Sequence, residues 1–131
     1  GRARSQAGMR RIFIHNQTSP LKSPLRAAYC DSFFTRFRGL MFRKSLDERE
    51  GLVLVENTES RVNSSIHMLF MNFDLGVIWM DAGLRVVDVH IARRWRPSYV
   101  PAKPARFTLE TRPEYIVEFH LGDQIQFTDA P

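Results

Sequence analysis

The stretch GVIWMDAGLRVVDVHIA, residues 76–92, constrains this chain most. Two apolar runs of strand length, 76–81 and 85–92, are separated only by Ala82, Gly83 and Leu84. Both runs are too short for a helix that buries a face, and both are rich in β-branched residues. They read as a central strand and the strand that returns beside it. Gly83 is the residue free to take a positive φ in the turn. A hairpin this apolar needs further strands on either side, and the flanking sequence offers them.

RIFIHN (11–16), LRAAYC (25–30), LVLVE (52–56), RFTLE (106–110) and DQIQF (123–127) are each of strand length, and several alternate in polarity. Pro97, Pro101 and Pro104 exclude regular structure through 93–105. QTSPLKSP (17–24), SLDEREG (45–51) and NTESRVNSS (57–65) read as loops and turns. Two short helices are expected. One spans 32–38, capped by Asp31 or Ser32, with Phe33, Phe34 and Phe37 on one face and Gly39 as its stop. The other spans 111–122, where Thr111 and Glu114 are spaced as a capping box, Pro113 lies in the first turn and Gly122 follows the end. The apolar run 66–71 fits neither template. Strands without regular βαβ alternation predict a mainly β fold, α+β by content. The expected form is a compact antiparallel β-sandwich or barrel of about seven strands with two short helices at its edge.

A length of 131 residues suits one domain with a core of its own. Gly1 is no translated start, whereas Met9-Arg10-Arg11 reads as one, so 1–8 is expected to be a remnant and 9–131 the domain. An apolar fraction of 44% with 25% charged residues excludes a disordered chain. Cys30 is the one cysteine, so neither an internal disulfide nor a zinc-type pair can form. No apolar run is long enough for a secretion signal or a membrane span, and a cytoplasmic location is expected. The net charge of +5 includes Arg2 and Arg4, and so mild a basic balance does not by itself argue for nucleic acid.

RFRGLMFRKSL (36–46), GLVLVE (51–56), SSIHMLFM (64–71), RVVDV (85–89), ARFTLE (105–110) and GDQIQF (122–127) come in an order that resembles the "domain of unknown function 192" family of bacteria and archaea. The resemblance covers about Arg10 to Phe127 and implies a compact, mostly β, sandwich-like fold; it implies no reaction. Two departures stand out. After IHM–M the family continues Phe, Pro, Ile, Asp, where this chain has Phe73, Asp74, Leu75 and Gly76. A two-residue shift along a strand keeps the side chain on one face, so Asp74 is a candidate replacement for the carboxylate missing at Gly76. Before the second helix, Arg112 and Pro113 stand where the family has a small, glycine-containing segment.

Four residues form the ligand-binding candidate: Arg38 and Arg43 flanking GLM, His67, and Glu110 at a strand end. A carboxylate, two guanidiniums and an imidazole at one end of a sheet would bind a polar ligand, or would hold helix to sheet as a structural ion pair. His67, Met68, Met71 and Met41 carry borderline and soft ligands of the kind Cu(I) prefers. Met68 and Met71 converge only where the backbone is not a strand, and methionines also fill cores. Arg93, Arg94, Trp95, Arg96 and Tyr99 combine guanidiniums with rings, as an anion, single-strand or protein contact would. Catalysis is not assigned to any residue: Cys30, Ser64 and Ser65 lack a local motif tying them to His15, His67, His90 or His120. No cofactor is expected. The expected function is therefore a module that binds a small ligand or protein partner without catalysis. The alternatives are a Cu(I)-type or hydrolytic protein using His67, and an anion or nucleic-acid binder through 93–99.

Overall fold

A computed structural model describes residues 10–30, 45–68 and 71–131. Seven strands form one sheet: β1 (Arg10–Asn16), β2 (Leu25–Cys30), β3 (Glu50–Ser60), β4 (Leu75–Met80), β5 (Val86–Ala92), β6 (Ala105–Thr111) and β7 (Ile125–Asp129). Their spatial order is β5-β4-β6-β3-β2-β1-β7. Five of the six pairings are antiparallel, and β2 with β3 is parallel. The expected mainly β fold is thus what forms, with a mixed rather than purely antiparallel sheet. The parallel pair requires a crossover, and most of it, including the helix expected at 32–38, lies outside the described residues. No helix among the described residues is long and apolar enough to cross a membrane.

The sheet curls but does not close into a barrel. Its two edges meet at one corner, where Arg85 bridges Gln124. There Val86 N–H donates to Asp123 O at 3.0 Å and Ile125 N–H to Leu84 O at 2.8 Å. One face gathers Ile12, Ile14, Leu25, Ala27, Val53, Ile78, Leu109 and Ile125 with neighbours from all seven strands. The opposite face carries Ala28, Cys30, Leu52, Val77 and Trp79, and is covered by Leu46, Ile66, Met68 and Met71. Strands buried on both faces read as continuous apolar runs rather than alternating ones. That explains why all six residues of β4 are buried.

Three expectations need correction. The helix expected over 111–122 is a 3-10 helix, Pro113–Glu118. Thr111 ends β6 opposite Gly51, with its hydroxyl on Glu50 O at 3.2 Å, so it caps nothing. Arg112 stands at the N-cap without a side-chain bond. The loop expected from 57 begins instead as the last four residues of β3, which runs on past an irregularity after Val55. In the hairpin turn it is Leu84, at φ +63°, that is left-handed, not Gly83. Asp81 fixes that turn: its carboxylate accepts from Gly83 N–H at 3.0 Å and Arg85 N–H at 2.9 Å.

Candidate functional site

Glu110 is the feature that sequence polarity alone could not weigh. It lies on β6 between Leu52 of β3 and Val77 of β4, which are its direct cross-strand partners. Cross-strand partners share a face, so this carboxylate stands in the middle of the covered apolar side. Its exposure is 0%. The next rung of that face is Leu54, Thr108 and Trp79. A carboxylate so placed needs charge or hydrogen-bond compensation to stay folded. Glu110, Cys30 and His67 are each held by at least one further contact.

The segment laid over this face begins at Ile66, which bridges Tyr99 through a pair of backbone bonds of 3.0 and 2.7 Å. His67 follows, half-buried, then the fully buried Met68. Met71 N–H donates to Met68 O at 3.1 Å. Met68 and Met71 consequently bury in the same cluster, the convergence that a strand would forbid. Among the described residues no three His, Cys, Asp or Glu side chains gather. Arg38, Arg43 and Met41 lie outside the described residues; of the ligand-binding candidates, Glu110 lies on the covered face, and His67 sits half-buried in the chain between Ile66 and Met68, two residues that cover that face. Ser64 and Ser65 donate their hydroxyls to Ser60 O and Val62 O, which commits both to the turn before Ile66. Cys30 is buried, with its thiol 3.7 Å from Ala28 O.

The basic loop is built differently. Arg93 N–H donates to the Tyr99 hydroxyl at 2.8 Å, and Arg94 N–H to the Asp74 carboxylate at 2.9 Å. The Arg93 guanidinium sits 3.2 Å from the same carboxylate. Trp95 N–H donates to Met68 O at 2.8 Å, and Met68 N–H to Arg96 O at 2.9 Å. Trp95 itself is left-handed, at φ +64°, and 53% exposed. Asp74 therefore serves as the anchor of this loop, a role hidden from the sequence because its partners are 19 and 20 residues away.

The backbone bond from Arg94, then the Arg93 guanidinium, hold the Asp74 carboxyl below its ordinary value of 3.8. A depressed carboxyl pKa stabilises the fold above the unfolded value and stops doing so as pH falls through the folded one. Asp74→Asn is accordingly expected to leave the fold intact and loosen the loop. The cost is under about 1 kcal/mol, because Arg93 is largely exposed and the pair is screened. Loosening of the loop in the unmodified protein as pH falls below 3.8, absent from the variant, checks this by peptic cleavage at Trp95 and Tyr99; identical acid responses would refute it.

A cleft of about 220 Å³ lies beside the loop's anchor, lined by Ser45, Leu46, Phe73, Asp74, Leu75 and Arg112–Glu114. Both departures from the family pattern meet at its edge. A Cβ on Gly76 would stand 2.6 Å from Ile116 Cγ2, 2.9 Å from Arg112 O and 3.2 Å from Pro113 Cα. The bare Gly76 is what lets the Arg112–Pro113 backbone and the Ile116 side chain pack this close to β4. Asp74 does not refill that place, since its carboxylate is turned onto Arg93 and Arg94.

Comparison with known proteins agrees with this architecture. The family model described as Uncharacterized ACR, DUF192, matches residues 14–127. A "UPF0127 protein" of Thermococcus kodakarensis is 44% identical over 117 residues, 88% of this chain and 73% of that protein. Another, of Thermococcus gammatolerans, is 48% identical over 80 residues, 61% of this chain and half of that protein. A crystal structure from Sinorhizobium meliloti superposes with a TM-score of 0.76 at 14% identity, covering 90% of this chain and 92% of that one. At such identity the likeness concerns the fold alone.

Proposed function

Since this chain belongs to the DUF192 family, a membership that brings a fold and no reaction, we propose from the site itself that it is a β-domain that binds a small anionic ligand without transforming it. The observation that carries this reading is the wholly buried Glu110 on a mostly apolar sheet face, under the segment that bears His67. A carboxylate there contributes little as packing. Its use is to hold a cation in a fixed pose, and a guanidinium held this way presents its remaining N–H donors in a rigid fork suited to carboxylate or phosphate. Arg38 and Arg43 are the guanidiniums this reading assigns to it, and half-buried His67 supplies a further donor. Among the described residues, the hydroxyls of Ser64 and Ser65 are spent on backbone carbonyls.

Titration of the full chain with inorganic phosphate and with succinate, followed by amide chemical shifts, tests it. The reading expects saturable shifts centred on β6 and on 64–68, and at least a tenfold loss of affinity in Arg38→Lys or Arg43→Lys and in His67→Ala, with Glu110→Gln weakening binding through the lost anchor. Folded protein with no saturable shifts for either anion, or affinities unchanged in all four variants, would end this reading.

A further inference from the structure

The cleft beside Asp74 is graded from an apolar floor to a charged rim. Leu75 and Leu46 line it and belong to the buried cluster on the covered face of the sheet, so its floor is that core. Phe73, half-buried against the same cluster, and Pro113 of the 3-10 helix add two rings. The charged residues of the lining are more open to water: the side chains of Asp74, Arg112 and Glu114 are 27%, 34% and 55% exposed. Two of these three charges are already spent. The Asp74 carboxylate accepts from Arg94 N–H on one oxygen and from the Arg93 guanidinium on the other. The Glu114 carboxylate stands 3.0 Å from Arg112 Nε. A guanidinium carries a fork of N–H donors, and that contact takes only Nε. The Nη groups of Arg112 make no bond among the described residues.

A small apolar basin with unspent guanidinium donors at its rim fits an anion that carries a hydrocarbon body. We propose that this cleft binds a small carboxylic acid with an apolar or aromatic tail, the tail against Phe73, Leu75 and Pro113 and the carboxylate on the Nη groups of Arg112. Paired Nη donors meet a carboxylate as a planar fork, a match that an ammonium does not reproduce. The cleft's volume of about 220 Å³ lies below the roughly 300–1,000 Å³ of sites for drug-sized ligands, so the occupant is small. A cation fits less well, because both carboxylates of the lining already face a guanidinium. A neutral alcohol would fill the floor and leave the Arg112 donors unmet. Arg112 and Pro113 stand where the family pattern has a small, glycine-containing segment, so this specificity is the chain's own. The proposal does not rest on the Glu110 site: Glu110 is wholly buried and does not line the cleft, and either can fail alone.

The test is titration of the full chain with 3-phenylpropionate, followed by amide chemical shifts. Saturable shifts are expected at 73–76 and 114–116, apart from the positions on β6 and 64–68 that report on the other site. Acetate has the charge without the tail, 3-phenylpropanol the tail without the charge, and phenethylamine the opposite charge. Each should bind at least about tenfold more weakly, the worth of one hydrogen-bonded charge or of the buried tail. Arg112→Gln should lose at least about tenfold in affinity for the acid, and Arg112→Lys nearly as much, because the fork is gone in both. Glu114→Gln acts in the opposite direction. It releases Arg112 Nε and removes a competing carboxylate, and should tighten binding about threefold, the size of one exposed ion pair. An absence of saturable shifts at 73–76 and 114–116 overturns the proposal. So does a preference for the amine, an alcohol that binds as tightly as the acid, or folded Arg112→Gln with unchanged affinity. Should Arg112→Gln not fold, the series of acid, alcohol and amine decides together with Glu114→Gln, whose failure to tighten binding would count against Arg112 as the carboxylate's partner.

Discussion

Trp79→Ala is expected to destabilise the chain by about 4 kcal/mol, the range for emptying a large buried aromatic site. Trp79 is wholly buried on the covered face, in the rung after Glu110. Its indole N–H donates to Ser64 O at 2.8 Å, and its ring meets His90 edge-on at 6.0 Å. It is therefore the pin that fastens the start of the covering segment to the sheet. Removing it opens a cavity and orphans a carbonyl. Small domains have about 5–15 kcal/mol in all, so the urea midpoint should fall by about 2 M at an ordinary m-value. Trp79→Phe keeps most of the volume and loses the hydrogen bond, and should lose about 1–2 kcal/mol. Urea unfolding followed by far-ultraviolet circular dichroism measures both. A loss below about 2 kcal/mol for the alanine variant would mean that the segment is fastened elsewhere.

Gly76→Asp is the second large effect. It restores a residue type that the family pattern favours, and it should still destabilise by about 4 kcal/mol, at or above the upper end for overpacking, because a carboxylate is buried as well. The new Cβ would overlap the Ile116 methyl at 2.6 Å, and the oxygen of Arg112, at 2.9 Å, would face another oxygen-bearing group. The 3-10 helix is packed on this spot, so it must shift or detach. Ile116→Ala should recover part of the loss, because it removes the methyl that the new Cβ meets, while the Arg112 oxygen and Pro113 Cα stay in place. Thermal melts of the two single variants and the double variant give the coupling directly. Strict additivity would show that the Ile116 methyl is not what the new side chain meets.

Sequence reading succeeded where the forces are local. The hairpin at 76–92 was legible because apolar run length, β-branching and a three-residue connection all act within it, and Asp81 closes the turn from inside. LRAAYC was legible to the residue for the same reason. Even there the left-handed position went to Leu84, because Ile125 N–H, 41 residues on, requires the Leu84 carbonyl. The second helix failed because its apparent cap, Thr111, is drafted into β6 by pairing with Gly51, sixty residues earlier.

The site divides along the same line. Residue types were visible: an imidazole beside two thioethers, a carboxylate ending a strand, rings among arginines. What each faces was not. The order of strands places Glu110 between Leu52 and Val77 and so makes it buried. Met68 and Met71 are buried in one cluster, where a strand would part them. Asp74 reaches across to Arg94 and sets out Trp95. The sequence by itself determined the strands, the ends of most of them to within a residue, and the family. Only the tertiary structure decided burial and partnership, because both depend on pairings between residues that are neighbours in space and far apart in the chain.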